Sequence, residues 1–374
     1  MSRFCVSYRI FAASHAEAQA RAEAIALEQT VEIPRDVVPT GYVEDTILGQ
    51  IEEIGREGDG QFRATISYSP DSAGPDFAQF LNVVFGNSSI QRGLRVIGVD
   101  PGESLRARHA GARFGIEGLR RLSGRAKGGL IAPVIKPQGL GADALAEISY
   151  RCAVAGADIV KEDHGITDQQ MAPFRERVEK IAASVARAAE ETGHRALYFP
   201  SVAGHPWDIR DNLRFARDAG ADGFLIMPGL LGFGLMQAIA SDPDLNLPVM
   251  AHPSFLGPYV LSPDTGIDHG VMFGTLQRLA GADISVFPNV GGRFGFTAED
   301  CRAIASACRD PNGPGAPILP SPGGGMSVAR AGEMAQMYGP DVVYLLGGSL
   351  LRLGAQIGEG IAQMRAAVDA ADMA

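Results

Sequence analysis

Residues 157–164 read Ala-Asp-Ile-Val-Lys-Glu-Asp-His, a short apolar-leaning run that ends in four consecutive ionisable side chains and is closed by Gly165. Lysine and carboxylates are rarely buried unless they are paired or bound to a metal. A charged strand tip in solvent is the bland reading; a working site is the other. Alternation along a strand puts Lys161 and Asp163 on one side and Glu162 on the other, where it packs or forms a salt bridge. Asp163 and His164, with an anionic form of Lys161, would make a site for Mg²⁺. A plain amine cannot ligate that ion, so the set requires carbamylation of Lys161 by CO₂ or a different ligand group. The imidazole of His164 suits Zn, Fe or Ni better than Mg.

Further candidates stand at the ends of other apolar runs. Only four of the 33 basic residues are lysines, Lys127, Lys136, Lys161 and Lys180. Arginine does not deprotonate in practice, whereas a lysine amine acts as a base, a Schiff-base partner or a carbamate. Lys136 in Val-Ile-Lys-Pro therefore reads as a general acid or base. His252 in Met-Ala-His-Pro reads as a second proton carrier or hydroxyl donor. Asn289 and Arg293 follow a later strand as substrate contacts. The glycine turns Gly323, Gly324, Gly325 and Gly347, Gly348 each precede a helix, where bare backbone N–H groups make a phosphate cradle; otherwise they serve only tight turns. Metal, phosphate cradle and a movable lysine together suit proton abstraction beside the carbonyl of a phosphorylated sugar.

These residues need a scaffold that gathers strand ends on one face. Residues 1–115 read as a separate unit of strand–helix–strand–strand–helix–strand order, a ferredoxin-like α+β domain, with a polar linker over Gly102–Ala112. From about residue 128 a second rhythm begins. Strands are expected at 129–136, 157–163, 196–202, 223–229, 247–253, 282–289, 316–321 and 342–347. Helices are expected near 141–155, 170–192, 208–219, 231–240, 266–280, 297–308, 327–338 and 355–370. Eight strand–helix pairs make a (β/α)8 TIM barrel over 116–374, with its catalytic groups at the C-terminal strand ends. A doubly wound open sheet would need a Gly-rich first turn, which the chain lacks.

Composition bounds the partners. A hydrophobic fraction of 46% with 20% charged residues is that of a globular protein. The net charge of −10 and the lack of any Lys/Arg block argue against nucleic acid. No apolar run approaches the ~18 residues of a membrane span, and the N-terminus lacks a signal-peptide pattern. Cys5, Cys152, Cys301 and Cys308 show no C-x-x-C spacing and are expected as free thiols in a reducing cytoplasm.

Taken together, the motifs resemble the RuBisCO large-subunit family, and the chain looks like a RuBisCO-like protein. Phe114-Gly-Ile-Glu-Gly-Leu119 resembles the family's entry into the barrel, and Val134-Ile-Lys-Pro137 its strand-one lysine motif. Gly156–His164 is similar to the strand-two metal motif, and Gly323–Gly325 and Gly347–Gly348 to the phosphate turns. The resemblance implies a carbamate on Lys161, a Mg²⁺ ligand at Asp163, an acid/base lysine at Lys136, and the family's strand-five histidine at His252. It also implies a homodimer in which one N-terminal domain caps the partner's barrel mouth, with Glu28 contributed across the interface.

Departures from the carboxylases are equally specific. His164 stands where they have glutamate, Gln138 where they have a second lysine, and Pro253 where an arginine grips a second phosphate. Arg293 is nearest to the missing strand-six lysine, and Gly323 replaces a serine. What this implies is a monophosphate substrate and no CO₂ fixation. The expected reaction is enolisation or isomerisation in methylthioadenosine sulfur salvage, on 5-methylthioribulose 1-phosphate or a diketo-methylthiopentyl phosphate. A decarboxylase or transcarboxylase of 3-oxo-isoapionate 4-phosphate is the alternative, with Arg293 holding the carboxylate. A non-catalytic phosphate-binding protein is the third reading. Phe255, Phe294, Met227 and Met250 are the candidates for an apolar pocket around a methylthio group.

Overall fold

Alternating burial along β1 (Phe4–Phe11) fits a strand with one face on a core and the other toward solvent. In the computed structural model, which describes residues 2–372, β1 pairs antiparallel with β3 (Gln61–Tyr68) and β4 (Leu94–Asp100), and β2 (Gln50–Gly58) pairs with β3. The resulting order β4-β1-β3-β2, with helices His15–Glu28 and Phe77–Phe85 inserted in the chain, is the ferredoxin-like arrangement. Ser14 and Asp76 start those helices, each accepting a backbone N–H of the first turn.

The expected linker is partly a helix. Gly102–Arg108 is helical with Leu105 buried, and His109 is buried against the rings of Phe77 and Phe80, at 5.1 and 6.2 Å between centroids. Leu105 and His109, four residues apart, fall on one helical face. With so few apolar residues, that period does not stand out in the sequence.

Eight strands then form the second sheet: β5 (Leu130–Ile135), β6 (Ile159–Glu162), β7 (Leu197–Phe199), β8 (Phe224–Ile226), β9 (Val249–Ala251), β11 (Ile284–Pro288), β12 (Leu319–Gly323) and β13 (Val343–Leu346). Their order is β7-β6-β5-β13-β12-β11-β9-β8, every pair parallel. A parallel bridge between Ser201 and Leu225 joins β7 to β8 and closes the barrel. Inward-pointing residues such as Leu130, Ile159, Phe199, Met250 and Val343 fill the interior, and Leu119 from helix Gly115–Ser123 packs with them. A buried carboxylate, Asp283, ties this end together by accepting the N–H groups of Phe114, Gly115 and Val249 at 2.8, 2.8 and 3.0 Å. Burial pushes its pKa up to about 6 in spite of those bonds.

The (β/α)8 expectation therefore holds, with local differences. The seventh barrel strand is Leu319–Gly323, not 316–321, because Ile318 donates its N–H to Cys308 in the preceding helix. The second barrel helix begins at Phe174, where Asp168 accepts its N–H, and not at 170. Within the expected helix 266–280, Gly266–Ile267 is a short strand, β10, and Gly270–Leu276 is a π-helical turn that runs into Gln277–Leu279. Strand β10 adds in parallel to β4, so it belongs to the N-terminal sheet. Among the described residues no helix is long and apolar enough to cross a membrane. Residues 373–374, the end of the expected barrel range, lie outside the described residues.

Both ring nitrogens of His109 lack a hydrogen-bond partner among the described residues, and burial, then Arg108, lowers its pKa. The unfolded chain takes up a proton near pH 6.5 that the folded chain refuses, so stability falls as pH drops below that value. A His109→Leu variant should lose less stability on going from pH 7 to pH 5, by up to about 1.4 kcal/mol per pH unit. Parallel melting curves for the two proteins across that range would show that His109 does not titrate against the fold.

Candidate active site

Backbone alternation sorts the ionisable end of β6. Glu162 turns outward into complete burial, where its carboxylate accepts Arg177 Nε at 2.9 Å, the Tyr198 hydroxyl at 2.7 Å and the Ser201 N–H at 2.9 Å. Lys161 turns inward, 1% exposed, and its Nζ donates to the Glu162 backbone oxygen at 2.7 Å. Burial pulls this amine down to about 8, against the opposing charge of Asp163 and with Lys136 adding to the fall.

Asp163 stands on the same side. Lys136 Nζ lies 3.6 Å and His164 Nδ1 3.5 Å from its Oδ1. Burial alone would raise this carboxyl, but His164, Lys161 and Lys136 outweigh it and hold it well below the usual carboxylate range. The His164 contact is electrostatic, since Nδ1 has no hydrogen-bond partner among the described residues. Its ring stacks on that of His252, with centroids 4.0 Å apart and planes 19° from parallel.

His252 follows β9. Its Nδ1 lies 2.9 Å from Ser254 Oγ and accepts the Ser254 backbone N–H at 3.3 Å. A backbone N–H can only donate, so Nδ1 is the bare nitrogen and Nε2 carries the proton. Burial, then the charges of Lys161 and His164, pushes the imidazole well below its ordinary pKa. The site thus holds a neutral histidine whose Nε2–H is a hydrogen-bond donor.

Glycine turns supply the other side. Gly324 and Gly325 have φ of +91° and +66°, which side-chain-bearing residues rarely adopt. A Cβ on Gly347 would lie 3.7 Å from Lys136 Nζ, so the turn after β13 borders the lysine directly. Arg330 links the neighbouring loops by donating to the carbonyls of Val290 and Gly325, both at 3.1 Å.

Lys136, Lys161, Asp163, His164, His252 and both glycine turns line one cavity of about 830 Å³, as does Arg293. Two expected site residues are elsewhere. Asn289 is 1% exposed, with its amide donating to the sulfurs of Met326 and Met334 and its Oδ1 accepting from Tyr338 at 2.6 Å. It braces the loop and does not face the cavity. Glu28 accepts from Asn87 at 2.9 Å in the N-terminal unit and does not line this chain's cavity. Of the apolar candidates, Phe255 and Phe294 are on the cavity wall, whereas Met227 and Met250 are core. Phe255 holds a φ of +66°, a conformation that costs a side-chain-bearing residue about 1–2 kcal/mol. Sequence reasoning missed Ser254 and Arg330. Ser254 follows the histidine at the spacing of a local side-chain bond and was findable; Arg330 acts between two loops and carries no local signal.

An ionisable centre on barrel strands one, two and five, facing glycine turns on strands seven and eight, marks a (β/α)8 protein built to hold a small anionic ligand at its C-terminal mouth. The chain belongs to the RuBisCO large-chain family, the match to the ribulose bisphosphate carboxylase large chain catalytic domain covering residues 115–373. It is 39% identical over 367 residues to the 5-methylthioribulose-1-phosphate isomerase of Rhodospirillum rubrum, covering 98% of this chain and 96% of that one. The 2,3-diketo-5-methylthiopentyl-1-phosphate enolase of Exiguobacterium sibiricum is 32% identical over 356 residues, with 94% and 89% coverage. The crystal structure of a RuBisCO-like protein from Rhodopseudomonas palustris superposes with a TM-score of 0.88 at 33% identity, covering 99% of this chain and 98% of that one.

Because Lys161 is buried with a lowered pKa, the folded state opposes its charge, and the penalty is fully present below pH 8. A Lys161→Met variant should melt higher than the parent at pH 7, by a margin on the order of a few kcal/mol, and the gap should narrow as pH rises from 8 toward 10. A variant that melts lower at both pH values would mean that Lys161 stabilises the fold.

Proposed function

We propose that this protein is a RuBisCO-like sugar-phosphate isomerase of methionine salvage acting on 5-methylthioribulose 1-phosphate, with an enolase acting on the related diketo phosphate as the neighbouring activity. One observation carries the reading: a lysine amine, a carboxylate, a neutral Nε2–H histidine and two glycine turns share a single cavity. The identity to the named isomerase and enolase over nearly the whole chain supports it. The phosphate sits on backbone N–H groups of the Gly323–Gly325 and Gly347–Gly348 turns. Lys136, once its ammonium has given up a proton, takes the proton from the hydroxyl-bearing carbon next to the ketose carbonyl and returns it to the former carbonyl carbon, while the hydroxyl proton of the first carbon passes to the oxygen of the second. His252 Nε2–H donates to the oxygen on which negative charge develops.

Asp163 and His164 provide only two metal donors, and among the described residues no group of three His, Cys, Asp or Glu could hold an ion. Lys161 completes the set if CO₂ adds to its neutral amine, forming an N6-carboxylated lysine and releasing a proton; its burial and lowered pKa favour that step. The two oxygen donors, a carboxylated Lys161 and Asp163, would then suit Mg²⁺, and a neutral His164 would add a nitrogen ligand of a kind more usual for Zn, Fe or Ni. When bound, the ion supplies positive charge beside the developing oxyanion. CO₂ fixation is absent from the reading: by the family resemblance the strand-six lysine is missing, with Arg293 nearest to its place, and Pro253 stands where an arginine would grip a second phosphate. The active unit is a homodimer in which Glu28 borders the partner's barrel mouth, as the resemblance implies.

Arg293 lines the cavity with its guanidinium carbon 4.8 Å from the Phe294 ring centroid, a cation able to hold a carboxylate, which is what favours the second reading, decarboxylation of a 3-oxo acid sugar phosphate. A proton NMR time course in D₂O with Mg²⁺ and bicarbonate separates the two. Deuterium uptake and rearrangement of 5-methylthioribulose 1-phosphate is expected, with at least a hundredfold loss in Lys136→Ala. Loss of the carboxylate from 3-oxo-isoapionate 4-phosphate in a parallel tube would transfer the assignment to decarboxylation, and silence in both would remove the catalytic reading.

A further inference from the structure

Phe255 is placed at a strain and left uncovered. It has a φ of +66°, an outlier for a bulky residue, and its side chain is among the exposed large hydrophobics at 65%. The turn that holds it is tightly determined. Leu256 is 1% exposed and donates its N–H to Pro253 at 3.1 Å. A Cβ on Gly229 would come within 2.4 Å of the Ser254 carbonyl oxygen, so the turn packs directly on a glycine. Glycine or asparagine would hold this turn with less strain, and so little burial gives the ring no place in the core. What the phenylalanine gains is a position on the cavity wall, shared with Leu261 and Phe294, which are 62% and 54% exposed. These three follow barrel strands five and six, and the turn after β13 is three strands from β9. Strained residues of this kind collect at ligand clamps.

We propose that Phe255, flanked by Leu261 and Phe294, is a specificity-determining wall that receives an apolar, thioether-type end of the sugar phosphate and disfavours a hydroxylated or second phosphorylated end. The inference rests on the sugar-phosphate reading of the cavity. The aromatic face removes apolar atoms from water, while a hydroxyl placed there loses its water partners.

The test is isothermal titration calorimetry of the full chain with Mg²⁺ and bicarbonate, using 5-(methylthio)pentyl phosphate and 5-hydroxypentyl phosphate. The parent should bind the thioether about tenfold more tightly or better. Phe255→Asn should bring that ratio to within about twofold while melting no lower than the parent, and Phe255→Tyr should keep most of the preference. An unchanged ratio in Phe255→Asn, no preference in the parent, or no binding of either compound overturns the proposal. A change in oligomeric state with the ratio intact overturns it too. Turnover of 5-methylthioribulose 1-phosphate by the parent is measured alongside. Turnover with an unchanged ratio removes the apolar wall and keeps the reaction; no turnover with a Phe255-dependent ratio does the reverse.

Discussion

The pleat at the end of β6 is the constraint on which the site depends. Lys161 and Asp163 face the barrel mouth because Glu162, between them, is held outward by a fully buried ion pair with Arg177 and by Tyr198 and Ser201. Reversing the pleat would send Glu162 into the cavity and the lysine into the helix layer. A buried pair of this type adds little net stability, but leaving either charge alone is expensive. Its contribution here is to fix which way a four-residue charged segment faces.

The cavity also inverts the charge of the molecule around it. The chain carries −10 overall, yet Lys136, Arg293 and Arg352 line the pocket, with Asp163 as its one side-chain carboxylate among the described residues. A concave, low-dielectric pocket concentrates such a local field. A small phosphate ester is drawn inward by these three cations, of which Lys136 also helps to keep Asp163 ionised. The acidic exterior offers no comparable attraction to polyanions.

Much of this was legible in the sequence, for identifiable reasons. Strand-end motifs containing Lys136, Lys161, Asp163, His252 and the glycine turns could be read because a parallel barrel brings all its C-terminal strand ends to one face, whatever the loops do. The outward turn of Glu162 followed from period-two alternation alone. Asn289 could not be read, because its environment of Tyr338, Met326 and Met334 comes from positions 37 to 49 residues away. Phe255 and Met250 look alike in sequence; only the backbone conformation after β9 separates a cavity wall from a barrel core. The helical character of Gly102–Arg108 rests on two apolar positions, too few to show a period.

The segment that carries Phe255 and Leu261 runs from β9 in the barrel to β10, and β10 is paired with β4 of the other sheet. Arg95, also in β4, fastens the segment again by donating to the carbonyls of Val260 and Ser262. The backbone therefore joins the two units twice, once through the covalent passage after β4 and once through this returning strand. A single linker would leave the smaller unit free to pivot; a second mooring removes most of that rotational freedom. One rim of the cavity is itself the mooring line, so a displacement of the small sheet acts with leverage on the wall that faces the ligand.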